Sequence, residues 1–558
     1  MKKLLYILLS LPAILLAQQN LPLNREWNLN ADKYSNYIHK HKSGNDTVLT
    51  GKGDKATEVI VERSLSCFKP QIVTPVFAKK DKSKGGYIYR KLKKENFVIV
   101  NDTADNLHLT LDPILSVQLG KDFMDKTGER IYTNTRGFVL KGAIGSKVAF
   151  ESSFYENQST FPKYMDAYIA STNNLFPQTA NYKYAVVPGQ GRSKPFGKNG
   201  YDYALASGYV SYSPYKMLNI QVGNGKHFVG DGYRSLLLSD NAFNYPFARI
   251  TTTFRNFQYT NLYTSFMNLT DGGVKTPPHS ERLFQKKVGS FQMLNYTIAD
   301  RVQLGLFQGM IWEAADSNNR QHVSFNTFDP VIGVNVLNYG MRNTNNILLG
   351  ATMKVKFTKS ISVYGQFMYD DAYSGTETGG KNKYGYQVGL KYFDLFTIKN
   401  LHLQFEYNAV SPYAYAANNP EQSYTHYNQS LAHPLGANFN EAIGFLNYRL
   451  KDFFVEIKGN FAVKGADSSS FNYGGNVFKS DNNFGVNQDV ISTTLGQGLK
   501  TTILTEDIHF GYLVNPNTNF TIVLGITNRS ETAGNVTNTM QFVYFGVRTS
   551  LANLYYDF

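Results

Sequence analysis

Two histidines and a carboxylate, His426, His433 and Glu441, lie within the stretch SYTHYNQSLAHPLGANFNEAIGF, residues 423–445. Imidazole and carboxylate are the donor set of a hydrolytic metal centre, or of a general base with its orienting partner. The spacing favours neither. The histidines are not close in sequence, Glu441 lies further on, no HExxH occurs and no cysteine is near. A zinc site needs three ligands on a rigid frame with one position open, and nothing in the stretch supplies that frame. No metal ligand and no cofactor is therefore expected. The same residue types suit sugar, because the faces of Tyr424 and Tyr427 can stack on pyranose C–H groups while His and Asn take hydroxyls. They suit the filling of a polar mouth equally well.

A second stretch, VGNGKHFVGDGYRSLLLSDNAFNYPF (residues 222–247), gathers Lys226, His227, Arg234, Asp240 and Asn241 among four glycines. The glycines imitate a phosphate loop, but no GKS or GKT follows. A strand that runs into a glycine loop and then into DGYRSLLLSDNAF points to a turn or short helix folded over or into a pore. It reads as a plug or as a ligand site. In the ligand reading Lys226, His227 and Arg234 donate to acidic or hydroxylated sugar, and Asp240 and Asn241 accept or organise the loop. Tyr424, His426 and His433 then form a facing wall. Arg234 would matter most for a uronate, whose carboxylate its fork meets at two points. No Ser/His/Asp spacing, nucleophile elbow or close carboxylate pair stands out, so the chain is not expected to be an enzyme.

The elements that must carry these loops are legible in the composition. The 558 residues are 42% hydrophobic and 14% aromatic, with 39 Tyr, 39 Phe and one cysteine. The opening MKKLLYILLSLPAILLAQQ has the charged start, short apolar run and small residue of a secretory signal, expected over residues 1–17. No further apolar run is long enough for a membrane helix. Cys67 has no partner for an intrachain disulfide. A net charge of +14 on an exported chain directs attention to lipopolysaccharide and acidic surface polysaccharide rather than nucleic acid.

The apolar residues instead alternate with polar ones. In NLHLQFEYN, Leu401, Leu403, Phe405 and Tyr407 alternate with His402, Gln404, Glu406 and Asn408. DFFVEIKGNFAVK, TNFTIVLGIT and KMLNIQVGN do the same, which writes a lipid face and a lumen face into one strand. Tight connections are expected near Gly145-Ser146, Pro214-Tyr215, Tyr259-Thr260, Ala299-Asp300, Thr358-Lys359, Thr397-Ile398, Lys451-Asp452 and Asn515-Pro516. Longer polar stretches lie between them, at 158–200, 226–246, 315–345, 409–438 and 465–495. Short turns alternating with long loops are the habit of outer-membrane barrels. The expected fold is all-β, a transmembrane antiparallel β-barrel of about 18 strands over residues 106–558. Residues 18–105 lack this regularity and show no helical period, and are expected as a periplasmic or lumenal N-terminal segment. Its basic runs, KKDKSK and RKLKK, read as solvated faces. The end of the chain, NLYYDF, slips out of strand phase and is expected to hang below the barrel.

The segments GKHFVGDGYRSLLLSDNAFNYP, YTHYNQSLAHPLGANFNE and LYYDF resemble the family of the gliding motility protein RemB of the Bacteroidetes. They also resemble the wider class of Wzi-like capsule assembly proteins. The resemblance implies a barrel of about 18 strands in the outer membrane. It also implies a role in holding surface polysaccharide or in gliding and adhesion. The expected function is an outer-membrane barrel that binds or organises surface polysaccharide. Alternatives are an accessory subunit of the gliding or type IX secretion apparatus, and a passive porin, which infolded loops would narrow.

Overall fold

The computed structural model describes residues 18–37, 46–50, 57–61, 66–75, 86–102, 104, 106–171, 185–269, 285–298, 301–313, 323–340, 345–371, 382–468, 471–481, 494–549 and 553–558. The expected signal at 1–17, the turn at Ala299-Asp300 and the run KKDKSK lie outside the described residues.

Eighteen strands close into one antiparallel barrel. The first six are β1 (Leu107–Asp122), β2 (Arg130–Ile144), β3 (Val148–Ser159), β4 (Gly200–Tyr215), β5 (Leu218–Gly225) and β6 (Tyr245–Phe254). The next six are β7 (Phe257–Met267), β8 (Lys286–Ile298), β9 (Val302–Glu313), β10 (Asn346–Lys356), β11 (Ile361–Asp371) and β12 (Lys383–Phe393). The last six are β13 (Leu401–Val410), β14 (Phe439–Leu450), β15 (Phe453–Ala466), β16 (Leu499–Asn515), β17 (Phe520–Ala533) and β18 (Val536–Arg548). Strand β18 pairs back onto β1, from Phe542 opposite Asp122 to Arg548 opposite Ser116, so no edge is left open.

The alternation behaves as the sequence predicts. Phe405 is exposed on the outside of β13, while His402, Gln404, Glu406 and Asn408 are buried inside. Phe453, Ile457 and Phe461 on β15 and Ile522 and Leu524 on β17 continue the apolar exterior. With the exception of the two-residue β17–β18 turn at Gly534-Asn535, short turns gather at one end and long connections at the other, which orients the periplasmic and extracellular ends. One turn differs from expectation. Tyr259 and Thr260 lie inside β7, and the reversal comes earlier, at Arg255-Asn256, where Arg255 takes a left-handed φ of 53°. The apolar series changes face at Asn261-Leu262, where Leu262 and Phe266 turn to the core, but β7 stays extended through that change and the two residues before it carry the bend.

The N-terminal segment enters the lumen. Helix α1 (Arg25–Tyr37) is present where no helical period was expected. Leu29 is its one buried apolar residue among those described and charge does the rest, so no apolar stripe marks it: Asp32 pairs with Lys354 at 3.2 Å and Lys391 at 2.5 Å, and Lys33 with Asp394 at 2.8 Å. Arg25 reaches Glu456 and lies over the ring of Phe445. A second piece, Ser66 to Pro75, places Cys67 against Asn295 of β8 and pairs Phe68 and Lys69 with Val229 and Phe228. The short helix α2 (Tyr87–Lys93) carries most of RKLKK, and its Lys91 pairs with Glu95.

The exterior fixes a first measurement. Leu524→Arg puts a charge on the lipid face of β17 and is expected to cost about 2–4 kcal/mol if it sits near the bilayer midplane. Urea unfolding in liposomes reads this, with Leu524→Met as the neutral control.

Candidate functional site in the barrel lumen

The loop between β5 and β6, residues 226–244, turns inward and descends into the barrel. Its middle, Leu236-Leu237-Leu238, is fully buried against Phe266, Phe291, Phe307, Leu348, Tyr415 and Tyr424. Three leucines at about 1.5–3 kcal/mol each supply much of the drive for infolding. Tyr415 donates its hydroxyl to Leu236 O at 2.8 Å and Tyr424 to Leu237 O at 2.6 Å, so the loop between β13 and β14 clamps the first loop from above.

Below this apolar layer lies an ionic cluster built from three parts of the chain. Arg234 of the infolded loop meets Glu441 of β14 with Nη2 to Oε1 at 2.9 Å and Nε to Oε2 at 3.4 Å. The same Nη2 reaches Asp557 Oδ1 at 3.0 Å. His433 Nε2 contacts Glu441 Oε2 at 2.7 Å, and Asn460 donates to both Glu441 Oε1 and Asp557 O. Tyr233 donates its hydroxyl to Asp557 Oδ2 at 3.1 Å, and Lys458 stands 3.2 Å from the same oxygen. Burial opposes ionisation of Asp557, but Arg234 and Lys458 outweigh it and hold the carboxyl well below the usual carboxylate range.

Asp557 arrives there because the chain end does not hang below the barrel. After Arg548 it turns into the lumen, where Tyr555 donates to Asp240 Oδ1 at 2.6 Å and Asn553 to Oδ2 at 3.1 Å. Tyr164, on helix α3 (Lys163–Ser171), donates to Tyr556 O, and Arg529 donates to Phe558 O at 2.9 Å. A tail rich in Tyr, Asp and Phe finds hydrogen-bond partners and rings inside that solvent-side packing would not offer. Beside the tail a cavity of about 390 Å³ runs along the wall, lined by Lys458, Asp507, His509, Tyr544 and Arg548 among others.

The residues expected to bind a ligand are distributed through this plug. Arg234, His433 and Glu441 do come together. Lys226 donates to Gly189 O at 2.7 Å and Asp240 O at 3.2 Å, and burial lowers its ammonium to about 8. Burial also raises Asp240, against the hydroxyl of Tyr555 and the charge of Lys226. Asn241 donates to Ser430 O at 3.2 Å. His227 is enclosed by Phe68, Tyr245 and Phe247. His426 stands apart from His433 and Glu441, accepting from Met267 N at 3.0 Å and ringed by Phe243, Tyr245 and Phe266. Seven of the eight are buried and Lys226 is half-buried, so an external wall of Tyr424, His426 and His433 is not formed. Of the two readings of these stretches, the geometry gives the plug.

No protein-family model matches the chain, and no curated protein matches it. Solved structures do. Wzi of Escherichia coli, an outer membrane protein involved in group 1 capsule assembly and a carbohydrate-binding β-barrel, shares 11% identity at a TM-score of 0.50. The match covers 96% of this chain and all of Wzi. In fold, the chain is similar to Wzi. OprD of Pseudomonas aeruginosa matches at 11% identity and TM-score 0.40, over 79% of this chain and 96% of its own. OccK2 of the same organism, solved with glucuronate, matches at 8% identity and TM-score 0.42, over 79% and 98%. At such identities the likeness is one of fold, the outer-membrane β-barrel.

Sequence reasoning missed the tail's part in the cluster and the role of β-strand polar residues in receiving it. Glu406 was visible as lumenal, but that it accepts Tyr233 N at 2.7 Å and Arg234 N at 3.0 Å required the fold. Arg234→Ala strands Glu441 and Asp557 without their shared cation, and is expected to cost about 3–5 kcal/mol. A lowered urea midpoint and new planar-bilayer conductance would read it; unchanged values would remove the cluster from its central place. A pH response follows from His426, whose imidazole burial pushes down to about 3 from an ordinary 6.5. The unplugged state binds a proton that the plugged state refuses. Stability from His426 is therefore present above 6.5 and is lost as pH falls toward about 3. Amide exchange in residues 423–431, corrected for intrinsic rate, should quicken across that window. His426→Gln, which can keep an acceptor for Met267 N, should flatten the response.

Proposed function

We propose that this barrel is a non-enzymatic surface protein whose extracellular end binds or organises acidic polysaccharide, in the service of gliding or adhesion. The observation that carries the reading is an exposed basic rim over a filled lumen. Lys121, Lys126, Arg130, Lys163, Arg192, Lys194 and Lys198 are all exposed at the extracellular ends of β1 to β4. The acids among them are engaged, Asp125 by Lys163 at 2.5 Å and Glu129 by Asn199. Phe123 beside them is exposed and offers a face for a sugar ring. The polysaccharide contacts thus move from the infolded stretches to this rim. It went unnoticed in sequence because its cations are scattered over two loops and form no run.

Wzi, similar in fold, is a carbohydrate-binding barrel, which supports a glycan ligand. The gliding and adhesion role rests on the resemblance of the two loop stretches and the tail to RemB-type proteins. A passive porin fits poorly with a lumen occupied by loop, tail and N-terminal segment. The accessory-subunit reading differs in what travels with the protein.

Purification from native outer membrane in mild detergent, with sugar analysis and mass spectrometry on one peak, separates these readings. Acidic glycan on a lone barrel is the expected outcome; stoichiometric secretion or gliding proteins without glycan would favour the subunit. Reversing Lys126, Arg130, Lys194 and Lys198 to Glu should weaken glycan binding at least about a hundredfold, each charge being worth about 1 kcal/mol near an anionic surface. Undiminished, salt-insensitive retention by the quadruple variant would sink the proposal.

A further inference from the structure

Residues 323–340, between β9 and β10, lie against the outside of the barrel. Alternation identifies the outside: Phe291, Met293, Phe307 and Ile311 belong to the lumenal core, so Ser290, Gln292, Gln308, Met310 and Trp312 point outward. Along the outer face of β9, Leu306 is 55% exposed, yet Gln308 one step above it is 0% exposed and Met310 and Trp312 are buried. Residues 323–340 cover them. Val336 of helix α4 (Val334–Tyr339) packs on Met310, Trp312 and Ile347.

The covered wall carries polar side chains where a lipid face should be apolar, and they answer the irregular backbone of the covering segment. Gln308 accepts from Gly333 N at 2.8 Å and donates to Gln292, which donates to Asp329 O at 3.2 Å. Tyr263 donates to Phe328 O at 3.0 Å, while Tyr259 donates to Pro330 O and accepts from Ile332 N. The segment's opposite face is mainly apolar and carries no exposed charge: Phe325 is 92% and Leu337 85% exposed, with Phe328 and Val331 beside them and, among the described residues, only Asn326 and Asn338 as exposed polar side chains. Asp329 is the only charged residue from 323 to 340, and its Oδ1 accepts from Val331 N. A loop in water would have no reason to carry this face. Below it the exposed face continues into Leu306, Leu304, Met353 and Phe257, the barrel's own lipid belt.

We propose that residues 323–340 form a flap embedded in the bilayer, with Phe325, Phe328, Val331 and Leu337 against acyl chains. The wall glutamines and tyrosines supply the backbone partners that hydrocarbon withholds.

Single cysteines test this in the full chain in native membranes, the fully buried Cys67 making the parent a blank. Phe325→Cys and Leu337→Cys should react with a membrane-impermeant maleimide as slowly as Leu306→Cys. Asn535→Cys, at the exposed β17–β18 turn, should react readily. Nitroxides at 325 and 337 in reconstituted protein should be reached by oxygen and not by a nickel chelate. Labelling at the rate of position 535 would place the flap in water and overturn the proposal. Exclusion of both oxygen and chelate would put a protein against the flap and overturn it equally. Gln308→Ala, in the Phe325→Cys background, should raise labelling about fivefold by loss of the hydrogen bond to Gly333 N. Heat-modifiable migration on gels checks that the barrel still folds.

Discussion

A backbone N–H or C=O taken away from water needs a partner, and among the described residues the barrel wall gives such partners to the infolded loop, the tail and the outer segment. Glu406 receives two amides of the infolded loop. Gln366 takes Leu236 N on its Oε1 and gives its amide to Val229 O, and Gln387 donates to Arg234 O. Near the extracellular end Asn438, just before β14, serves Gly465 O, Tyr473 O, Gln497 O and Gly496 N. The same chemistry holds the flap on the outside. Inward and outward polar residues thus have one function, the anchoring of irregular chain.

Charge follows the same logic. Several lumenal pairs join a strand to something that is not a strand: Glu441 to Arg234, Lys458 to Asp557, Lys354 and Lys391 to Asp32, Glu456 to Arg25. Buried ion pairs add little net stability over apolar packing, yet losing one partner is costly. They therefore select which segment lies where more than they add to stability. Loop, tail and N-terminal helix meet the wall at charges that match only one arrangement. The outcome is a barrel filled from both ends, whose extracellular end presents a surface with a basic rim.

How much of this could be read from residues alone differs by level. The strands, their faces and most turns were legible, because NLHLQFEYN or TNFTIVLGIT announces its two faces within a few residues. The turn at Arg255 was misplaced because the apolar series of β7 changes face at Asn261-Leu262, which imitates a strand end beside Tyr259-Thr260. Helix α1 was invisible because its described buried face holds Leu29 beside the charged Asp32, and a hydrophobic period cannot report a helix that buries so little apolar surface. Arg234 and His433 were read as residues facing a ligand, whereas the fold turns both of them to Glu441.

The sequence by itself determined two-faced strands, since side chains alternate across an extended chain whatever lies beyond it, and the succession of short turns and long loops made of them a barrel. It also determined that the loops carry polar, aromatic and glycine-rich stretches able to leave the sheet. Only the tertiary structure decided where those stretches go: inward for residues 226–244 and 553–558, outward for 323–340. That choice depends on partners far away in the chain, such as Arg234 with Asp557 or Gly333 with Gln308. No local period encodes a pairing of that kind, because it exists only once the wall has closed.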